Sequence, residues 1–210
     1  MEINKSLIED FNNKTSKILA VTKYFDVDET NNIASILSTD YSDYIVWLWE
    51  NRVNSLKEKD LDRESTHFIW NIQTKEIKHI IKHCMYIHSV DDIKQLYKME
   101  DICSKSWNWV QIFLQINLDE SKPGWIKKED IPKYLDIICE LENVSLIWFS
   151  AIWKSEFSYE EKQNEFLLLK ELRNKYLQNG LISAWTSVDY KIALENEIDI
   201  IRIWTKLFNL

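Results

Sequence analysis

A lysine follows the first strongly apolar stretch of the chain. Residues 18–22 are apolar or β-branched, and Lys23 comes directly after them. A lysine amine at the mouth of an apolar wall can have a lowered pKa and can form a Schiff base with an aldehyde. The alternative is a surface lysine just past the end of a strand, and position alone favours this alternative.

Hydroxyl groups follow two apolar stretches near the C-terminus. Ser183, Thr186 and Ser187 lie in one segment, and Thr205 lies shortly after Arg202 in the other. Hydroxyls and backbone amides at a helix N-terminus are suited to binding phosphate. Simple capping of a helix by Ser187 is the alternative, and it needs no ligand.

These residues lie at the ends of short apolar segments that alternate with segments of helical periodicity. Most of the apolar segments are continuous rather than alternating, as expected for strands covered on both faces by helices. The predicted strands are 17–22, 44–49, 66–70, 84–88, 110–117, 145–152, 181–184 and 199–203.

Several helix starts are visible between these strands. Ser158 and Glu161 form a capping box ahead of a stripe of Phe166, Leu169, Leu172 and Tyr176. Ser89 with Asp91 and Asp92, and Ser187 with Asp189, predict two further helix N-termini.

Eight strands alternating with helices over residues 1–210 predict one domain, a (β/α)8 TIM-type barrel. A doubly wound open sheet is the competing fold, but it would need fewer strands. The last predicted strand lies close to Leu210, so we expect the eighth helix to be absent or replaced. An extra N-terminal helix over residues 3–13 is expected to cover that position.

In such a barrel the functional residues follow the strands, and the loops after strands 7 and 8 often bind phosphate. An amine after strand 1, together with hydroxyls after strands 7 and 8, describes a pocket for pyridoxal 5'-phosphate (PLP).

The sequence resembles the pyridoxal phosphate homeostasis proteins, which are single-domain relatives of the alanine racemase N-terminal barrel (PLP fold type III). Seven segments carry the resemblance in order and spacing, and together they extend over almost the whole chain. They are residues 18–23, 49–51, 67–73, 87–91, 113–117, 183–189 and 202–205.

The resemblance implies a role for individual residues. Lys23 would carry PLP as a Schiff base, and Arg202 would face the pyridine nitrogen and keep it unprotonated. Asn51 would line the cofactor pocket. The phosphate would be held by the segments that contain Ser183, Trp185, Ser187, Trp204 and Thr205.

The implied function is a carrier that holds PLP and hands it to PLP-dependent apo-enzymes. The alternative is a PLP enzyme acting on amino acids, such as a racemase. A racemase of this barrel type needs a further β domain for its second acid/base group, and the sequence ends at Leu210 without one. We therefore expect a carrier without a catalysed reaction of its own.

The chain departs from the family where the family has glycine. Trp49, Trp70, Trp185 and Trp204 stand at such positions, and Trp148 and Trp153 are further candidates. The sequence has two Gly and ten Trp, which together come to 12. An ordinary chain of this length has about 15 Gly.

One hypothesis explains this departure: many or all of the Trp codons are UGA, a codon that some bacterial lineages read as Gly. Trp47, Trp107, Trp109 and Trp125 match no clear family glycine and depend on composition alone. The alternative is that the Trp are genuine and that the barrel binds no cofactor.

Other candidate sites are weaker. His67 and His88 lie near strand ends and could tune the pocket, although such histidines are usually structural. No Cys/His/carboxylate spacing indicates a metal site. Cys84, Cys103 and Cys139 are predicted to be small core residues in a reducing compartment.

Composition restricts the partners. The net charge of −8 argues against nucleic-acid binding. The N-terminus lacks a signal-peptide pattern, and no apolar run approaches the roughly 18 residues that span a bilayer. The expectation is a cytoplasmic monomer that contacts no membrane.

Overall fold

The computed structural model describes residues 2–118, 124–151, 158–185 and 189–209. The strands are β1 (Glu2–Ile3), β2 (Lys17–Val21), β3 (Ile45–Glu50), β4 (Thr66–Phe68), β5 (Tyr86–Val90), β6 (Val110–Ile116), β7 (Val144–Ala151), β8 (Leu181–Trp185), β9 (Ile200–Ile203) and β10 (Phe208–Asn209). The helices are α1 (Lys5–Asp10), α2 (Val27–Asp40), α3 (Val53–Lys59), α4 (Ile77–His83), α5 (Ile93–Ser106), α6 (Ile131–Ile138), α7 (Tyr159–Tyr176) and α8 (Tyr190–Glu195).

Strands β2 to β9 form a closed parallel barrel in chain order. The barrel closes where β9 pairs with β2, with Lys17 opposite Ile200 and Ala20 opposite Ile203. This closure confirms the predicted (β/α)8 barrel and excludes the open, doubly wound sheet, whose edge strands would not pair with each other.

Both faces of the barrel wall are buried, and β2 shows how one strand serves two cores. Ile18 and Ala20 belong to the cluster outside the barrel, where Ile33 and Leu37 of α2 also lie. Leu19 and Val21 belong to a second cluster with interior residues such as Phe113. Successive side chains of a strand point to opposite faces, so a continuous apolar run is needed when both faces are covered.

Helix α7 confirms a local prediction. The Ser158 hydroxyl accepts from the Glu161 backbone N–H, and the Glu161 carboxylate accepts from the Ser158 backbone N–H at 2.7 Å. Phe166, Leu169 and Leu172 are buried against the barrel, as their spacing predicts.

The segments at the two ends of the described chain pack together. Strand β1 pairs antiparallel with β10, and the Asn4 N–H donates to the Leu207 carbonyl at 2.9 Å. Leu7 and Ile8 of α1 lie in the same apolar cluster as Leu207. Helix α1 is shorter at both ends than the helix predicted over residues 3–13, because β1 takes up the residues before Asn4 and the helix ends at Asp10.

The predicted strands differ from those of the structure by one or two residues at their ends, and one predicted helix start also differs. Strand β5 begins at Tyr86 rather than at residue 84, because the Cys84 N–H donates to the Ile80 carbonyl and ends α4. Helix α8 begins at Tyr190, and Asp189 makes no side-chain capping bond there. Ser187, the other predicted cap of that helix, lies outside the described residues.

The cysteine prediction is correct for two residues and wrong for the third. Cys84 and Cys103 are buried, whereas Cys139 is exposed at the end of α6. Cys139 is the C-terminal cap of α6, and it is exposed although the preceding Ile138 is buried, so its apolar neighbours in sequence do not indicate burial.

In the described ranges, none of the helices has the length and apolar character needed to cross a membrane.

Two tryptophans have a backbone conformation that favours glycine. Trp107 is the C-terminal cap of α5 with φ 54°, and its N–H donates to the Cys103 carbonyl. Trp125 has φ 60°. A bulky L-residue rarely has a positive φ, whereas Gly is the usual residue at a left-handed helix cap. The Trp107 side chain is 95% exposed, so packing of the ring does not compensate for this conformation.

We therefore predict that Trp107→Gly stabilises the protein. Gly removes a left-handed strain of roughly 1–2 kcal/mol, part of which is offset by the greater entropy of Gly in the unfolded chain. The free energy of unfolding, measured in urea, should rise by about 1 kcal/mol. Trp107→Ala is the matched control, because it removes the same ring but keeps the Cβ atom. Equal stability of the Gly and Ala variants would contradict the prediction.

Candidate functional site

Lys23 lies at the carboxyl-terminal rim of the barrel, two residues beyond the end of β2. Its amine stands over three aromatic rings, at 4.8 Å from the ring centroid of Trp49, 4.9 Å from that of Tyr24 and 5.7 Å from that of Trp70. The side chain is half-buried. The sequence prediction of an amine at the mouth of an apolar wall agrees with this position.

The surroundings lower the pKa of Lys23. Partial burial is the main cause, and the positive charges of Arg202 and Arg52 add to it, whereas the carboxylate of Glu50 opposes it. A lowered pKa leaves a larger fraction of the amine uncharged at neutral pH, and only the uncharged amine is a nucleophile.

Arg202 lies on β9 with its side chain wholly inside the barrel, 1% exposed. Its Nη2 donates to the Ala151 carbonyl at 2.7 Å, and its guanidinium carbon lies 5.7 Å from the Trp49 ring centroid. Burial lowers its pKa to about 9. Arg202 therefore remains a cation at neutral pH and places a positive charge close to Lys23.

Trp49 is the residue that contacts both of these groups. Its side chain is fully buried, and its indole N–H donates to the Ile69 carbonyl at 3.1 Å. Because Lys23 and Arg202 both lie against this ring, the indole fills the space beside the amine and the guanidinium.

The predicted hydroxyl groups are only partly described. Ser183 on β8 is fully buried, and among the described residues its hydroxyl has no hydrogen-bond partner. Thr205 is exposed just beyond β9, and Trp204 beside it stacks on Tyr24 with 4.0 Å between ring centroids. Ser187 and Thr186, together with the side chain of Trp185, fall outside what the structure describes.

Asn51 follows β3 at the same rim of the barrel. Its side-chain oxygen is buried and accepts no hydrogen bond from the described part of the chain. A buried carbonyl oxygen normally has a donor, so this atom is a candidate contact for a ligand.

Sequence reasoning missed a buried ionic network beside Lys23. Glu50 and Lys59 form an ion pair of 2.7 Å whose side chains are 0% and 4% exposed. Ser55 donates to the other oxygen of Glu50 at 2.7 Å, and Thr22 Oγ1 also donates to Glu50 at 2.7 Å. Glu50 lies inside a motif that indicated the pocket, but no sequence signal singles out Lys59 among the lysines of α3.

A cavity of about 300 Å³ with a mainly apolar wall lies next to the rings of Trp49 and Trp70. Trp49 and Trp70 form part of its wall. Its polar lining, from the ends of β4 to β6, consists of Asn71, Ser89, Asp91 and Gln115. The Ser89 hydroxyl is buried and lacks a hydrogen-bond partner in the described ranges.

His67 and His88 form a pair inside the barrel rather than at its rim. His67 Nδ1 and His88 Nε2 share a hydrogen bond of 2.5 Å, and His88 stacks on Phe113. Burial lowers the pKa of both imidazoles well below the usual value, and the charges of His67 and Arg202 add to the shift at His88. Both histidines are therefore neutral at neutral pH and form part of the interior packing.

In the described ranges, no group of three or more His, Cys, Asp or Glu side chains could hold a metal ion.

Comparison with known proteins identifies the family. No family model matches the chain. The pyridoxal phosphate homeostasis protein of Aquifex aeolicus is 29% identical over 171 residues, which cover 76% of this chain and 74% of the relative. The protein of the same name from Synechocystis sp. is 30% identical over 152 residues, 68% of each chain. The chain belongs to the pyridoxal phosphate homeostasis protein family.

Solved structures show the same fold for this family member. PipY of Synechococcus elongatus, solved with PLP bound, superposes with a TM-score of 0.83 at 21% identity over 99% of this chain and 100% of PipY. Alanine racemase of Clostridium difficile superposes with a TM-score of 0.75 at 14% identity, covering 98% of this chain and 58% of the racemase. These similarities establish an alanine racemase-like barrel.

The histidine pair predicts how the stability of this homeostasis protein family member depends on pH. The unfolded chain binds a proton at each histidine below about pH 6.5, whereas the folded state keeps both imidazoles neutral. The free energy of unfolding is therefore unaffected by these histidines above that pH, and it decreases as the pH falls below it. Each histidine contributes up to about 1.4 kcal/mol per pH unit.

Urea unfolding at a series of pH values measures this slope. His67→Gln should reduce it, and His79→Gln, which changes an exposed residue of α4, should leave it unchanged. The same slope in His67→Gln and in the parent protein would exclude the buried pair as its source.

Proposed function

We propose that this protein is a PLP-binding carrier of PLP homeostasis, which holds PLP as a Schiff base on Lys23 and hands it to PLP-dependent apo-enzymes. The observation that carries the proposal is the convergence of Lys23 and Arg202 on one ring, that of Trp49. A nucleophilic amine and a buried cation beside one aromatic-sized space match the two ends of a pyridine aldehyde. The family name of the relatives and the PLP bound to PipY support the proposal.

The polar groups of the site fit PLP. Ser183 offers a buried hydroxyl that has no partner within the described ranges, on the strand next to Arg202. Asn51 offers a buried side-chain carbonyl oxygen that also has no hydrogen-bond partner among the described residues. In the proposed site, Ser183, Ser187, Thr205 and the backbone at positions 185 and 204 hold the phosphate. When bound, PLP would supply an aldehyde for the amine of Lys23.

The indole of Trp49 does not fit PLP. It lies 4.8 Å from the amine and 5.7 Å from the guanidinium, in the space that the proposed site assigns to the cofactor ring. Trp204 stacks on Tyr24 where the phosphate needs a close approach of the backbone. With Trp at these positions the polar groups are correct, but the space is filled.

We propose that many or all ten Trp are Gly in the living cell, encoded by UGA. Three kinds of observation support this proposal: the low Gly count, the left-handed conformation of Trp107 and Trp125, and the filled space at Trp49. The first two do not depend on any resemblance to known proteins. With Gly at positions 49 and 70, the cavity beside β4 to β6 would join the space below Lys23.

The codons and the protein mass test the recoding directly. We expect UGA at these positions in the gene and Gly in peptides of the protein isolated from its own cells. UGG codons, or Trp in those peptides, would refute it and would favour a barrel that binds no cofactor.

Visible absorption with added PLP tests the cofactor assignment. The chain with Gly at all ten Trp positions should develop the absorption of a Schiff base, and the chain as printed should not, because its indole fills the site. If the variant with all ten replacements does not fold, the double variant Trp49→Gly, Trp204→Gly takes its place in this test. Absorption in both forms would mean that the site tolerates Trp, and absorption in neither folded form would refute PLP binding.

In the Gly form, Lys23→Ala should abolish the absorption and leave the circular dichroism spectrum unchanged. Arg202→Ala should weaken PLP retention less severely, because Arg202 contacts the ring and forms no covalent bond. Lys17→Ala is the matched control, since Lys17 lies at the opposite end of the same strand. Equal absorption in Lys23→Ala and the parent would exclude Lys23 as the attachment point.

A further inference from the structure

Thr22, the residue before Lys23, makes hydrogen bonds through its carbonyl, its N–H and its hydroxyl. Lys59 Nζ donates to the Thr22 carbonyl at 2.9 Å, and the Thr22 N–H donates to the Trp49 carbonyl at 3.1 Å. The hydroxyl of Thr22 donates to Glu50. Because a peptide bond is planar, fixing the Thr22 carbonyl also fixes the direction in which the chain enters Lys23.

Lys59 and Glu50 come from different elements and meet only at this point. Glu50 is the last residue of β3, and Lys59 is the last residue of α3. A buried ion pair adds little stability compared with apolar residues of the same size, since both charges lose their hydration. Stability therefore does not explain why the ion pair lies next to Thr22, the residue before Lys23.

The network also contributes to the electrostatic field at the Lys23 amine. Among the described residues, Arg202, Arg52 and Glu50 are charged groups that act on the amine, and of these three Glu50 is the anion. Its ion pair with Lys59 leaves only part of the carboxylate's field to act on Lys23, because the two opposite charges lie 2.7 Å apart.

We propose that Glu50 and Lys59 are positioning residues, which set the direction of the Lys23 amine and the charge that faces it. This inference rests on the proposed role of Lys23. It adds to that role the residues that orient the amine and set its electrostatic surroundings.

Competitive acetylation of Lys23, followed by peptide mass spectrometry across a pH series, tests the inference without PLP. Glu50→Gln removes a negative charge that attracts the protonated amine, so the pH midpoint of Lys23 labelling should move down. Lys59→Met leaves the Glu50 carboxylate without its partner, so the midpoint should move up. A shift of about half a pH unit corresponds to roughly a threefold change in labelling rate below the midpoint.

The opposite signs distinguish positioning from a general loss of structure, which would move both variants in the same direction. Arg173→Met is the matched control, because it removes a partly buried ion pair with Asp199 at the amino-terminal end of the barrel. It should leave the Lys23 profile unchanged. Lys59→Gln, which keeps a donor but loses the charge, replaces Lys59→Met if that variant does not fold.

Folded Glu50 and Lys59 variants with the parent midpoint, or with shifts of the same sign, would overturn the inference. Since labelling is measured without PLP, this outcome is separate from a failure of the proposed function. A protein that binds no PLP but shows the two opposite shifts would still support the positioning role.

Discussion

Closure of the parallel barrel is the constraint on which the rest of the structure depends. When β9 pairs with β2, the carboxyl ends of all eight strands lie on one rim, so Lys23 and Arg202 become neighbours although they are far apart in sequence. Closure also explains the apolar strands, since the interior and the helix-covered exterior both exclude water. Arg202 is held as a buried cation in this interior, where its hydrogen bond to Ala151 on another strand depends on the closed geometry.

The rim contains polar groups and an aromatic ring that fills the space beside them. Lys23 has a lowered pKa, and the hydroxyl of Ser183 is buried and without a partner in the described chain, whereas Trp49 fills the space beside the amine. The backbone at Trp107, outside this site, independently has the conformation of a glycine cap. Replacement of Trp by Gly at both positions would relieve the strain at the cap and open the space at the rim.

Much of the fold was predictable because its signals are local. The apolar run of β2 and the capping box at Ser158 act through neighbouring residues, and the structure agrees with both. The errors occur where a local pattern competes with a neighbouring element. Cys84 looked like the start of a strand but ends α4, and Cys139 is exposed because its helix ends there.

By itself, the sequence determined the alternation of strands and helices, the lysine at the end of β2 and the arginine in β9. Periodicity and strand-end position depend only on the order of residues along the chain. Only the tertiary structure decided that Lys59 reaches both Glu50 and the Thr22 carbonyl, and that Trp49 lies against both Lys23 and Arg202. These contacts join residues of different elements, and their distances follow from barrel closure and helix packing, which no local pattern encodes.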